Sequence, residues 1–236
     1  MARIAVVEHQ PTCPPALLGT WLRDAGAELD VVRPHAGEAL GALASYDGVV
    51  VLGGEMSADD DATVPWLGPL KEQLRALVAA EVPLLGICLG HQLVAVALGG
   101  RVEPNPAGQT VGLQPVGWVA GVEDDRLFAP RPGARVLQWN NDIVVEAPDG
   151  TTTLATAPDG SLQVARFGVA AWGTQAHPEV DLPVVRRWAE TDYDDHRLRG
   201  IDQEAALAEL VEARDDLARD WQPVAERFVE LAGGRS

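Results

Sequence analysis

Cysteine is scarce in this chain: Cys13 and Cys88 are the two among 236 residues. That is too few for a disulfide framework, and a reducing, cytoplasmic setting is the expectation. Positive charge is also short, with 18 Lys and Arg against 35 Asp and Glu and a formal net charge of -17. Nucleic acid and anionic membrane would both repel such a surface at long range, so neither is expected as a partner. No stretch approaches the ~20 uninterrupted apolar residues that span a bilayer. The start, MARIAVVEHQP, is broken by Pro11 and has neither the apolar segment nor the cleavage site of a signal peptide. Internal repeats, low-complexity segments, a phosphate-binding glycine fingerprint and metal-ligand spacing are missing too, so no metal and no cofactor is expected. What remains as a partner is a small molecule or a neutral or basic protein.

What is present is ample for a core, since 47% of the residues are hydrophobic. The first half alternates β-branched runs with helical patterns, the mark of a parallel sheet covered by helices. RIAVVEH, ELDVVRP, YDGVVVLGG and VPLLGI read as four strands, the last wholly apolar and suited to the sheet centre. PPALLGTWLRDAGA and VPWLGPLKEQLRALVAA read as helices between them, with Leu70, Leu74, Leu77 and Val78 on one face of the second. From about Gly108 the pattern shortens to QTVGLQPVGWV, ARVLQWN, TTTLATA, LQVARFG and VAAWGTQ, punctuated twice by Pro-Asp-Gly, which predicts mixed or antiparallel additions. Residues 1–190 are expected to form the α/β domain, and 191–236 a charged extension of one or two helices packed on it.

The stretch Gly86-Ile87-Cys88-Leu89-Gly90 lies where the fourth strand meets a helix, LGHQLVAVALGG. A sharp turn there strains the backbone of the central residue, and glycines two positions away on either side remove side chains that would collide. Free amides and the dipole at the helix start favour a thiolate at Cys88, and the Leu89 N–H is placed to bind a developing oxyanion. A nucleophile needs a base. His177 lies in Gln175-Ala176-His177-Pro178-Glu179, where the following proline drives it toward extended geometry and puts Glu179 on its face. One ring nitrogen can then take the Cys88 proton while the other donates to Glu179. His91 is expected to pack along the helix, and His9, His35 and His196 to lie at the surface. A second oxyanion donor is expected from Gly53-Gly54, beyond the end of a parallel strand, where ligands of open α/β sheets gather.

GGEMS, GICLGHQ and QAHPE, in that order, resemble a class I glutamine amidotransferase domain over roughly residues 3–190. Within that class the chain is most similar to stand-alone proteins that resemble the glutaminase domain of GMP synthase. The resemblance implies an open, mostly parallel, flavodoxin-like sheet flanked by helices, with added antiparallel strands and a C-terminal helical tail. It implies Cys88 as nucleophile, His177 as base and acid, Glu179 as its orienter, the Gly54 and Leu89 amides as oxyanion hole, and Gln92 as a glutamine contact. Asn140 stands where related stand-alone proteins tend to have histidine, and Asp142 is a candidate partner for a substrate α-amino group. Glu55 stands where relatives usually have proline, which puts a charge beside the oxyanion loop. The implied activity is hydrolysis of the glutamine γ-amide through a γ-glutamyl thioester, with ammonia passed to a separate synthase protein, because no ATP-pyrophosphatase fingerprint is present. Hydrolysis of larger γ-glutamyl amides or peptides is the alternative. A third reading is a regulatory subunit without catalytic activity.

Overall fold

The computed structural model describes residues 1–129 and 131–234, so residue 130 and the last two residues of the expected extension lie outside it. The first half folds as β1 (Arg3–Val7), α1 (Ala16–Asp24), β2 (Glu28–Val32), β3 (Gly48–Val51), α2 (Leu67–Ala79), β4 (Leu84–Ile87) and α3 (Leu89–Ala97). The second half adds β5 (Arg101–Pro104), β6 (Thr110–Pro115), β7 (Gly117–Trp118), β8 (Arg135–Asn140), β9 (Asp142–Glu146), β10 (Thr152–Thr156), β11 (Leu162–Arg166) and β12 (Ala171–Thr174). Four helices follow: α4 (Leu182–Thr191), α5 (Tyr193–Arg199), α6 (Gln203–Glu212) and α7 (Arg214–Gly233).

The main sheet has the order β2-β1-β3-β4-β12-β11-β10-β7. Strands β2, β1, β3, β4 and β12 run parallel, and β11, β10 and β7 continue antiparallel. β4 is therefore central, as its apolar sequence predicts. Among the additions, VAAWGTQ supplies the parallel member: its strand β12 lies beside β4, with Thr174 opposite Ile87, and this placement carries His177 to the end of β4. Two strands without a clear sequence signal, β5 and β9, pair with each other, and β6 pairs with β8.

Alternation along the strands divides the interior in two. Ile4, Val6, Val50, Leu85 and Ile87 face α1 and α7, while Ala5, Val7, Val49, Val51 and Leu84 face α2 and α3. Leu70, Leu74 and Leu77 are fully buried on α2, each worth roughly 1.5–3 kcal/mol relative to exposure. The tail beyond residue 191 forms three helices rather than one or two. Trp221, Val224, Ala225 and Phe228 of α7 join the cluster against α1, and Leu210 of α6 joins a third cluster with Trp139 and Trp188. Among the described residues no helix is long and apolar enough to cross a membrane.

Candidate active site

Cys88 sits between β4 and α3 with φ 50° and ψ -107°. This left-handed conformation costs a non-glycine residue about 1–3 kcal/mol and is typical of a nucleophile elbow. The glycines are required by backbone, not by side chains: a Cβ on Gly86 would lie 2.5 Å from the Gly90 carbonyl oxygen, and one on Gly90 2.0 Å from that of Val51. The Cys88 N–H continues the parallel ladder by donating to the Thr174 carbonyl at 2.8 Å.

His177 follows β12 and is held by its own N–H, which donates to the Leu137 carbonyl at 2.8 Å. Its Nδ1 donates to Glu179 Oε1 at 2.7 Å, with both side chains almost wholly buried. Burial opposes the imidazolium, but the Glu179 carboxylate and the Cys88 sulfur outweigh it and push His177 up to about 10. Glu179 Oε2 is buried without a partner. A buried, half-satisfied ion pair is a poor source of stability and is more usual where a charge must be kept for chemistry.

Gly53 and Gly54 close the third side. A Cβ on Gly53 would stand 3.1 Å from His177 Cε1 and 3.6 Å from Cys88 Cβ, and one on Gly54 would meet Leu89 Cδ2 at 2.9 Å. The Gly53-Gly54 loop, Cys88 and His177 thus converge on one point. Glu55 does not unsettle that loop. Its N–H donates to Gln10 Oε1 at 2.9 Å while Gln10 Nε2 donates to Glu55 Oε1 at 2.9 Å, a clamp that a proline at this position could not complete.

A cavity of about 460 Å³ opens in front of these groups, lined by Gly54, Cys88, Gln92, Asn140, Asp142 and His177 among others. Glu179 stands behind His177. Gln92 commits both amide hydrogens within the protein, to the Asp142 carbonyl at 2.9 Å and to Gln175 Oε1 at 3.1 Å, which leaves its Oε1 to meet a ligand. Asn140 Nδ2 donates to the same Asp142 carbonyl at 3.2 Å, and its Oδ1 is buried without a partner. The Asp142 carboxyl is held above its ordinary range by burial and by Asp60 and Asp59, against a hydrogen bond with Ser57.

Sequence reasoning passed over several residues here. Gln175 Nε2 donates to Cys88 Sγ at 3.6 Å, and its place in QAHPE was its only sequence signal. Trp188 packs edge-on against the His177 ring with centroids 4.7 Å apart, and Trp139 lies 6.1 Å beyond it. Cys13 lines the same cavity as Cys88. Burial first, then the Cys88 and Glu179 charges, raise the Cys13 thiol far above its ordinary range and keep it protonated.

Two of the histidines expected at the surface are fully buried instead. His9 accepts from Trp66 Nε1 at 3.1 Å beside the Gly54 loop, and burial together with His35 lowers it to about 4, so it is neutral. His196 lies between Gln109 and Gln203 and packs on Trp139. His35 is partly buried, bonded to Glu8. His91 packs as expected, its ring centroid 5.2 Å from that of Phe167.

Comparison with known proteins agrees with this geometry. The family model for glutamine amidotransferase class-I matches residues 17–185. The chain is 34% identical over 158 residues to a glutamine-hydrolyzing GMP synthase subunit from Saccharolobus solfataricus, covering 66% of this chain and 78% of that protein. It is 27% identical over 208 residues to gamma-glutamyl peptidase 5 of Arabidopsis thaliana, covering 82% and 76%. The crystal structure of a glutamine amidotransferase from Thermotoga maritima superposes with a TM-score of 0.86 at 28% identity, covering 97% of this chain and 98% of that one. With its sheet order, its strained cysteine and these relatives in agreement, the chain belongs to the class-I glutamine amidotransferase family of enzymes.

Proposed function

We propose that this protein hydrolyses the γ-amide of glutamine with Cys88 as nucleophile and releases ammonia for a separate acceptor protein. The observation that carries the reading is the convergence of Cys88, with its strained backbone, and the buried His177–Glu179 pair on the Gly53-Gly54 loop. The Cys88 sulfur attacks the amide carbon, and the Gly54 and Leu89 N–H groups receive the negative charge that develops on the carbonyl oxygen. His177, protonated at neutral pH, gives its proton to the leaving nitrogen as the C–N bond breaks, leaving a γ-glutamyl thioester. The neutral His177 then takes a proton from water, the hydroxide attacks the thioester carbonyl, and the thiolate departs, restoring the imidazolium. Glu179 fixes the ring so that Nε2 faces the reaction. Gln175, touching the sulfur, supplies one more donor to the thiolate. Asp142 and the Gln92 Oε1, both on the cavity wall, accept from the substrate α-amino group.

The similarity to the GMP synthase subunit supports a separate synthase as the ammonia acceptor. A second reading, hydrolysis of larger γ-glutamyl amides, is favoured by the cavity, whose volume of about 460 Å³ is on the scale of drug-sized ligand sites. The similarity to a gamma-glutamyl peptidase supports it as well. Glutamate and ammonia release from L-glutamine, with γ-glutamyl amides run in parallel, tests both readings. Equimolar glutamate and ammonia from glutamine supports the first. Glutamate from the larger amides with glutamine ignored supports the second, and no glutamate from any of them contradicts both.

A further inference from the structure

We infer that the far wall of this cavity selects a leaving group that carries a positive charge, making γ-glutamyl amides of diamines its preferred substrates. The inference rests on the second reading above, that the site cleaves γ-glutamyl amides larger than glutamine. Because His177 protonates the leaving nitrogen, the amine leaves on the His177 side, and the next groups along that side are known. Trp188 packs on the His177 ring, Trp139 follows, and Trp139 Nε1 donates to Asp192 Oδ2 at 2.8 Å. Trp139, Trp188 and Asp192 all line the cavity.

The wall is rich in acceptors. Asp192 makes its contacts to Trp139 and to His196 through Oδ2, which leaves Oδ1 for a ligand. His196 does not neutralise it, since burial holds that imidazole below its ordinary range. Among the described residues lining the cavity none is lysine or arginine, whereas Glu55, Asp60, Asp142 and Asp192 all contribute carboxylates. A second, independent observation points to a donor-bearing ligand. Asn140 is 6% exposed and lines the cavity, its Nδ2 is committed to the Asp142 carbonyl, and its Oδ1 is buried with no partner. An orphaned buried acceptor calls for an N–H from a ligand. A carboxylate-bearing leaving group would instead meet like charge in a partly desolvated site.

The chemistry is that of the thioester route. The amide C–N bond breaks, the nitrogen takes the His177 proton, the diamine departs, and water completes hydrolysis to glutamate.

The test is a matched substrate series on the full wild-type chain: γ-glutamylputrescine, γ-glutamylpentylamide with a methyl in place of the ammonium, and γ-glutamyl-γ-aminobutyrate, with L-glutamine and Cys88→Ala as references. The expected kcat/KM for γ-glutamylputrescine exceeds that of the pentylamide by about fivefold, the scale of one screened ion pair. The γ-aminobutyrate compound is expected to be the poorest of the three. The preference shrinks with added salt, and it falls toward unity in Asp192→Asn, which keeps an acceptor for Trp139. Should that variant fail to fold, the wild-type series and its salt dependence decide alone. Equal or better hydrolysis of the uncharged or anionic compound overturns the inference while leaving the Cys88 mechanism standing, as does turnover of glutamine with all three larger amides ignored. No Cys88-dependent hydrolysis of any γ-glutamyl compound overturns both.

Discussion

The cavity has two walls built on different principles. The proposed reaction wall is made at the ends of β3, β4 and β12, where main-chain geometry does the work: a strained cysteine, two glycines whose Cβ atoms would strike carbonyl oxygens, and Gly53 pressed against His177. The far wall is made of side chains, Trp139 from β8, Trp188 from α4 and Asp192 at the junction of α4 and α5. Each wall also holds a cysteine, and the two have contrasting surroundings. Cys88 has an amide donor and a basic imidazole beside it, while Cys13, in a loop and packed in the cluster of Trp139 and Trp188, is held as a neutral thiol. Lining this cavity is not enough to make a thiol a nucleophile; donors and a base beside it are needed.

Perturbing the reaction wall is expected to have the larger effects. His177→Asn removes the proton donor and the partner of the thiolate together, so glutamate release falls by about 10³-fold or more, and so does much of the alkylation rate of Cys88 at neutral pH. Far-UV circular dichroism checks that the fold survives. Gly90→Ala forces a methyl into the Val51 carbonyl and is expected to cost about 2–4 kcal/mol in urea unfolding. Glu179→Gln keeps the hydrogen bond but removes the charge, so the loss in kcat is smaller, about 10–100-fold. It also moves the alkaline limb of the pH–rate profile to lower pH. The sign follows from His177 itself. Its value in the folded protein lies above the ordinary 6.5, so its contribution to stability is complete below that pH and is lost as pH rises through about 10, where the protonated His177 that serves the leaving nitrogen is lost as well. The smallest effect is expected from Gln175→Leu, a few-fold loss of Cys88 alkylation rate at neutral pH, since one weak N–H···S contact is removed.

The contrast between the walls also explains what could be read from the chain. GICLGHQ was legible because a tight strand-to-helix turn demands glycines at fixed spacing, and QAHPE because proline and the two-residue repeat of an extended chain place Glu179 beside His177. The central position of β4 followed from its unbroken apolar run. The direction of β12 was left open because it depends on the strand beside it, and AWGT itself carries no mark of parallel pairing. β5 and β9 were missed because RVEP and DIVVE are short, carry charge and have only each other as ladder partners. His9 and His196 were assigned to the surface because their partners, Trp66 in one case and Gln109 and Gln203 in the other, are distant or not patterned in sequence. The far wall had no signal for the same reason: Trp139, Trp188 and Asp192 meet only after β8 and α4 have packed.

The central claim is that Cys88, not merely a thiol in this cavity, attacks the γ-amide. Steady-state glutamate release from L-glutamine and from γ-glutamylputrescine, measured side by side for wild type, Cys88→Ala and Cys13→Ala, tests it most directly. The account predicts that Cys88→Ala loses turnover of every substrate the wild type accepts while Cys13→Ala keeps most of its rate. Retained turnover in Cys88→Ala, with folding intact, would contradict it.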